Sequence, residues 1–183
     1  MNIDQQTWLE DVEITPSPNF NERPDQGDVS LLVIHNISLP PKQYGGGYIQ
    51  KFFQNELPVD DDPYFKEITD LEVSAHFLIE RDGVISQFVP LEKRAWHAGL
   101  SCFDGREGCN DFSVGIELEG CDEEPFTDQQ YQSLSSLTKK IQSIYPAITQ
   151  QRITGHSDIA PDRKTDPGPF FDWSRYLASL QRD

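Results

Sequence analysis

Three side chains within eleven residues could do chemistry together: His156, Lys164 and Asp166, in the stretch Thr154-Gly-His-Ser-Asp-Ile-Ala-Pro-Asp-Arg-Lys-Thr-Asp-Pro-Gly-Pro-Phe170. Its prolines and glycines forbid a continuous helix, because proline removes a backbone donor and fixes its own φ. A rigid loop with an imidazole, an ammonium and a carboxylate can present a metal ion and a charge to a substrate, and loops set by a scaffold are where such groups concentrate. The loop needs a second imidazole, and the chain has only four histidines: His35, His76, His97 and His156. A catalytic zinc site takes three protein ligands and leaves a fourth position for water. His35 follows an apolar run, at the strand end where open α/β sheets present ligand-binding groups. His35, His156 and Asp166 are therefore a candidate His-His-carboxylate set for one Zn2+.

Each member also has a plainer reading. His35 alone fits a hydrogen-bonded strand end, Asp166 before Pro167 fits a turn, and Lys164 fits an ordinary loop lysine. His76, between Ala75 and Phe77, reads as structural, while His97 in Trp96-His-Ala-Gly99 suits a cleft or a core equally. If zinc binds, it lowers the pKa of its water to about 7. A neighbouring carboxylate can then take the proton and pass it to a leaving amine. Glu117 is the first candidate for that role and Glu119 its rival, both also readable as solvated charges on a strand face. Lys164 would set an ammonium near a developing oxyanion.

These groups need a scaffold. Ser30-Leu-Leu-Val-Ile34 is a short apolar run, consistent with a strand buried on both faces and ending at His35-Asn36. Residues 73–80 and 84–89 flank Arg81-Asp82-Gly83, a hairpin signal because Asp-Gly tolerates positive φ. In residues 112–120, Phe112, Val114, Ile116 and Leu118 alternate with Ser113, Gly115, Glu117 and Glu119, so both glutamates should point away from the apolar side. Thr127-Asp-Gln-Gln130 matches a capping box. The helix it opens carries Tyr131, Leu134, Leu137, Ile141 and Ile144 and stops before Pro146, and Asp172 is placed to cap a final helix. Residues 1–29, with Pro16, Pro18 and Pro24, read as an extended arm over the surface. Residues 38–72 read as a lid-like insertion with a short helix near Tyr48. The order strand, insertion, hairpin, strand, helix, loop, helix indicates an α/β single domain over 1–183, a mixed β-sheet flanked by helices.

Composition bounds the partners. A chain of 183 residues buries about 70% of its unfolded surface as one domain. A net charge of −16 opposes nucleic acid and anionic membrane surfaces, since that field repels phosphates. Arg23 is the first basic residue, which is the reverse of a secretory signal, and no eighteen-residue apolar run occurs. With three cysteines (Cys102, Cys109, Cys121) an odd count, reduced thiols in a cytoplasmic protein, taken as a monomer, are expected.

Several blocks carry a resemblance over nearly the whole chain. They are His35-Asn-Ile-Ser-Leu-Pro-Pro41, Val73-Ser-Ala-His76, Arg94-Ala-Trp-His-Ala-Gly99, Cys109-Asn-Asp-Phe-Ser-Val-Gly-Ile-Glu-Leu-Glu-Gly120 and residues 154–169. Together they resemble the cytoplasmic N-acetyl-anhydromuramyl-L-alanine amidases, zinc enzymes of peptidoglycan recycling. The wider superfamily includes phage-lysozyme amidases and peptidoglycan recognition proteins. The resemblance implies zinc ligands at His35, His156 and Asp166, a general base at Glu117 and an oxyanion-stabilising Lys164. It also implies a zinc groove at one edge of the sheet, with Asn36 and Trp96 as substrate-binding residues and an anhydromuropeptide as substrate. The bond cut would be the amide between the lactyl group of anhydro-N-acetylmuramic acid and L-alanine.

Two positions depart from that pattern: Glu72 and Gly108 stand where arginines that meet stem-peptide carboxylates are expected, with Arg106 as a substitute for one of them. A raised Michaelis constant follows as an expectation. Two other functions stay in view. A lysin acting on intact wall would share the chemistry, and a non-catalytic muropeptide-binding protein would share the fold but characteristically lacks a ligand.

Overall fold

A computed structural model describes residues 7–181. The described residues form ten strands in three sheets. They are β1 (Glu13–Ile14), β2 (Phe20–Glu22), β3 (Leu31–Ile37), β4 (Phe77–Ile79), β5 (Ile85–Gln87) and β6 (Lys93–Ala95), followed by β7 (Cys102–Phe103), β8 (Arg106–Glu107), β9 (Ser113–Glu119) and β10 (Ile153–Gly155). Six of them form one sheet in the order β1-β5-β4-β9-β3-β10, while β2 pairs with β6 and β7 with β8. The sheet is mixed: β4–β9–β3–β10 run parallel, β5 is antiparallel to β4, and β1 is parallel to β5. The expected α/β domain with a mixed sheet and flanking helices is what the chain forms.

Alternation sorts the side chains to two faces. Leu32 and Ile34 of β3, Val114, Ile116 and Leu118 of β9, and Phe77 and Ile79 of β4 share one core with Leu134, Leu137 and Ile141 of helix α3 (Asp128–Ile144) and Tyr176 of helix α5 (Trp173–Ser179). Helix α3 opens with the capping box: the Gln130 backbone N–H donates to Thr127 Oγ1 at 3.1 Å, and the Thr127 N–H donates to Gln130 Oε1 at 3.0 Å. Gln130 Nε2 also donates to the Glu119 and Ile79 carbonyls, so one residue caps the helix and closes the ends of β9 and β4. The Asp172 carboxylate accepts the Arg175 N–H at 2.9 Å, as a cap should.

The opposite face is where expectation and structure part. Every residue of β9 is buried, Glu117 and Glu119 included, so the glutamate side is no solvent face. It is covered by residues 38–72, which hold helices α1 (Tyr48–Phe53) and α2 (Phe65–Ile68). Phe52, Phe53, Phe65 and Ile68 pack with Leu78, Phe88 and Val89 into a second core. Each large apolar side chain so buried contributes about 1.5–3 kcal/mol. The helices of the insertion thus form a packed layer on the sheet.

The described part of the N-terminal arm is tied to the domain at several points. β1 joins the sheet edge, β2 pairs with β6, and the Arg23 guanidinium is buried against the carbonyls of Asn110, Leu91 and Ser113. Residues 1–6 of the arm lie outside the described residues. The hairpin pairs over fewer residues than its sequence spans, with Gly83 at φ 89° in the turn. Among the described residues no helix is long and apolar enough to cross a membrane.

Candidate metal centre

Register places the first two groups. His35 of β3 and Glu117 of β9 are cross-strand partners, so their side chains leave the same face side by side. β10 pairs with β3 up to Gly155 opposite Ile34, which sets His156, the next residue, beside His35. His156 begins helix α4 (His156–Ile159), where the Asp158 carboxylate accepts the Gly155 N–H at 3.0 Å. The loop then folds back, because the Ser157 N–H donates to the Asp166 carbonyl at 2.9 Å. A Cβ on Gly155 would lie 2.8 Å from Pro167 Cδ, so the missing side chain lets the Asp166–Pro167 turn come this close.

Three atoms converge as a result. His35 Nδ1 and His156 Nδ1 lie 3.0 Å apart, and Asp166 Oδ2 is 3.0 Å from the first and 3.1 Å from the second. The outward nitrogens are engaged elsewhere. His156 Nε2 sits 3.1 Å from the Ala98 carbonyl, which can only accept, so that nitrogen carries the proton and Nδ1 is a bare lone pair. His35 Nε2 lies 2.9 Å from His97 Nδ1. A nearly equilateral triangle of two imidazole nitrogens and a carboxylate oxygen fits a tetrahedral zinc, whose ligands stand about 2.0–2.2 Å from the ion. Burial first holds His35 below its ordinary pKa, with the Asp166 carboxylate opposing. For Asp166 burial works upward, yet the two imidazoles beside its carboxylate, His156 first, hold its carboxyl well below the usual range.

The triangle opens into a cleft of about 410 Å³ that Glu117, Lys164, Asn36 and Trp96 also line. Glu117 is buried and its Oε2 has no hydrogen-bond partner. Burial first, and the Asp166 charge second, push its carboxyl well above the ordinary range, with Lys164 opposing. Glu119 differs in kind: its Oε1 accepts the Gly45 N–H at 2.6 Å and its Oε2 the Arg81 N–H at 3.2 Å. Of the two glutamates, only Glu117 lines the cleft, and its Oε2 is buried without a partner.

The remaining candidates separate in the same way. Asn36 Nδ2 donates to the Pro167 carbonyl at 3.0 Å and to Asp122 Oδ1 at 2.7 Å, so the amide nitrogen anchors the loop as well as lining the cleft. Trp96 reaches the cleft with its indole N–H donated to Asn21 Oδ1 at 2.9 Å. His76 is a core residue that accepts the Gly115 N–H, and burial followed by the Arg23 charge pushes its pKa down to about 3. Glu72 and Gly108 are absent from the cleft lining. Arg106, the suggested substitute, is ion-paired with Asp28 at 2.6 Å, stacked on the Phe112 ring and likewise absent from the cleft lining.

A mixed-sheet α/β fold with a His-His-Asp triangle that could hold a metal ion in a cleft suits a hydrolase of the amidase class, and sequence comparison agrees. The chain belongs to the N-acetylmuramoyl-L-alanine amidase family, whose model matches residues 25–169. Within it, the chain is 58% identical over 173 residues to the 1,6-anhydro-N-acetylmuramyl-L-alanine amidase AmpD of Haemophilus influenzae, covering 94% of each. It is 52% identical over 179 residues to the AmpD of Escherichia coli K12, covering 98% of this chain and 97% of the relative. The crystal structure of a selenomethionine AmpD derivative matches with a TM-score of 0.93 at 53% identity, over 96% of this chain and 98% of that one. Escherichia coli AmiD, solved with anhydro-N-acetylmuramic acid-L-Ala-D-γ-Glu-L-Lys, matches with a TM-score of 0.63 at 30% identity, over 83% of this chain and 57% of that one.

Proposed function

We infer that this protein hydrolyses the amide between 1,6-anhydro-N-acetylmuramic acid and the L-alanine of soluble muropeptides, with one zinc ion held by His35, His156 and Asp166. The reading further takes the enzyme to work as a cytoplasmic monomer in peptidoglycan recycling. The observation that carries the chemistry is the convergence of three electron-pair donors on one point, beside a buried carboxylate oxygen with no partner of its own. Bound there, zinc supplies Lewis acidity, which lowers the pKa of a coordinated water to about 7 and polarises a carbonyl.

The chain's own groups do the rest. Glu117 Oε2 is available to accept the attacking water's proton, and its raised proton affinity suits it to deliver that proton to the departing L-alanine nitrogen. Lys164 brings an ammonium to the cleft wall where negative charge develops on the former carbonyl oxygen. Trp96 offers an aromatic face to the sugar, and Asn36 keeps the Asp166 loop at the distance the donor triangle requires. The buried floor under β3 and β9 limits water to the cleft mouth.

The test is zinc content of the purified protein together with release of free tripeptide from anhydro-muramyl-tripeptide, with and without a chelator. About one zinc per chain and chelator-sensitive release are expected. Zinc with cleavage only of intact sacculi would transfer the protein to the wall lysins, and absence of both zinc and turnover would leave a binding protein.

A further inference from the structure

Both histidines of the triangle take their outer hydrogen bond from two consecutive residues, His97 and Ala98. Neither belongs to the triangle, and nothing in the reaction as described above uses them. The segment is pinned from behind: Asn110 Oδ1 accepts the N–H of His97 at 3.1 Å and of Ala98 at 2.8 Å. The Arg23 guanidinium holds the Asn110 carbonyl at 3.1 Å and the Ser113 carbonyl at 2.8 Å. Room for the ring comes from Gly115, where a Cβ would lie 2.5 Å from His97 Cγ. His97 is thus pressed flat against β9 with its two nitrogens facing different partners, Nδ1 towards His35 Nε2 and Nε2 towards Ser113 Oγ at 3.1 Å.

The direction of protons along this row decides what His35 can offer. When the Ser113 oxygen accepts from His97 Nε2–H, His97 Nδ1 is a lone pair and accepts from His35 Nε2–H. His35 Nδ1 is then bare, matching His156 Nδ1, and both face Asp166 Oδ2 as ligands. When the row runs the other way, with Ser113 O–H donating to His97 Nε2, His97 Nδ1–H donates to His35 Nε2 and His35 Nδ1 carries a hydrogen. That hydrogen points at Asp166 and occupies the position a cation would take. The two arrangements hold the same number of protons: passing from the first to the second, each shared hydrogen crosses to its partner while His35 Nδ1 takes up one proton and the Ser113 hydroxyl gives one up.

We propose that His97 is the positioning residue of the metal centre: through Ser113 and His35 it selects the imidazole tautomer that leaves His35 Nδ1 free for zinc, while Ala98 does the same for His156 by its carbonyl alone. The proposal rests on the zinc reading above. A ligating imidazole whose other nitrogen is held this way is more basic and better oriented, and loss of such a partner costs about 10–100-fold in metal affinity.

Two variants of matched size separate the hydrogen bond from simple packing. His97→Asn keeps an acceptor oxygen near the place of Nδ1, whereas His97→Leu fills similar space without one. Zinc affinity is measured by competition with a chromophoric chelator, and the thermal midpoint of the metal-free proteins reports their folding independently. The expected result is a roughly 10–100-fold weaker zinc affinity for His97→Leu, largely restored in His97→Asn, with similar metal-free midpoints for the two. Equal affinity in both variants, whether wild-type or weakened, overturns the tautomer role. A wild-type protein that binds no zinc overturns the metal centre itself, an outcome visible before either variant is compared. As a further check that does not depend on substitution, long-range 1H–15N correlations of the zinc-loaded protein should show His35 protonated at Nε2; protonation at Nδ1 overturns the proposal.

Discussion

Glu117 combines two properties that rarely share a residue: burial, at 9% exposure, and an oxygen with no partner. Such a group is expensive to keep ionised, since an unsatisfied buried polar atom costs about 1–3 kcal/mol and more when charged. Its folded pKa stands well above its ordinary one, burial being the main cause and the Asp166 charge the next. For a carboxyl shifted in that direction, stability is fully present below the unfolded pKa and is lost as pH rises through the folded value. Glu117→Gln should therefore raise the thermal midpoint of the metal-stripped protein at pH 8 and leave it nearly unchanged near pH 4, a difference of about 1–3 kcal/mol. The same substitution should retain zinc and reduce turnover by roughly 10²–10⁴-fold. Calorimetry at both pH values with a single-turnover assay checks the pair. A variant that is less stable at pH 8, or one that is fully active, would assign the role of Glu117 elsewhere.

At the scale of elements, the molecule separates what a sequence pattern can announce from what only pairing creates. The long strands β3 and β9 and the helix α3 are legible because five or more residues keep a period, and the Thr127–Gln130 box marks its boundary by chemistry. β1, β6 and β10 hold two or three residues each, too few to carry any period, and exist because a neighbouring strand offers an edge. The convergence of His35, His156 and Asp166 is foreseeable from residue types and the rigid loop. What separates Glu117 from Glu119 in the fold, the backbone N–H groups of Gly45 and Arg81 closing on Glu119, comes from turns far away in sequence. His97 is ambiguous for the same reason, as its partner His35 is 62 residues distant.

The insertion shows the limit most clearly. Its glycines and acidic turn suggest mobility, yet its phenylalanines are buried against the sheet. Hydrogen exchange should distinguish the parts: slow exchange for the amides of Lys51–Phe53 in α1, and fast exchange for those of Tyr44, Gly46, Gly47, Asp60 and Asp62 in the turns around it. Uniform slow exchange across 43–63 would remove any mobile rim, and uniform fast exchange would contradict the packed layer.

For the whole molecule, charge sets the terms of encounter. A net charge of −16 surrounds a cleft whose proposed substrate carries stem-peptide carboxylates, and the one arginine expected to compensate, Arg106, is already paired with Asp28. Long-range repulsion of this kind slows association and is screened when the Debye length falls below about 10 Å. Raising ionic strength from roughly 20 to roughly 200 mM should therefore increase kcat/KM for an anionic stem, mainly through KM, while a stem amidated at its carboxylates shows little change. A steady fall in kcat/KM with salt for the anionic stem would instead reveal a local cationic track into the cleft that outweighs the global charge.

One more consequence lies in the alignment of β3 with β9. His35 faces Glu117 only in the register observed, and a shift by one residue would turn His35 to the helix α3 side, away from both His156 and Glu117. A chain that pairs these strands wrongly has no donor triangle, however compact it becomes. An ion bound as proposed would therefore add its binding energy to the correct register alone.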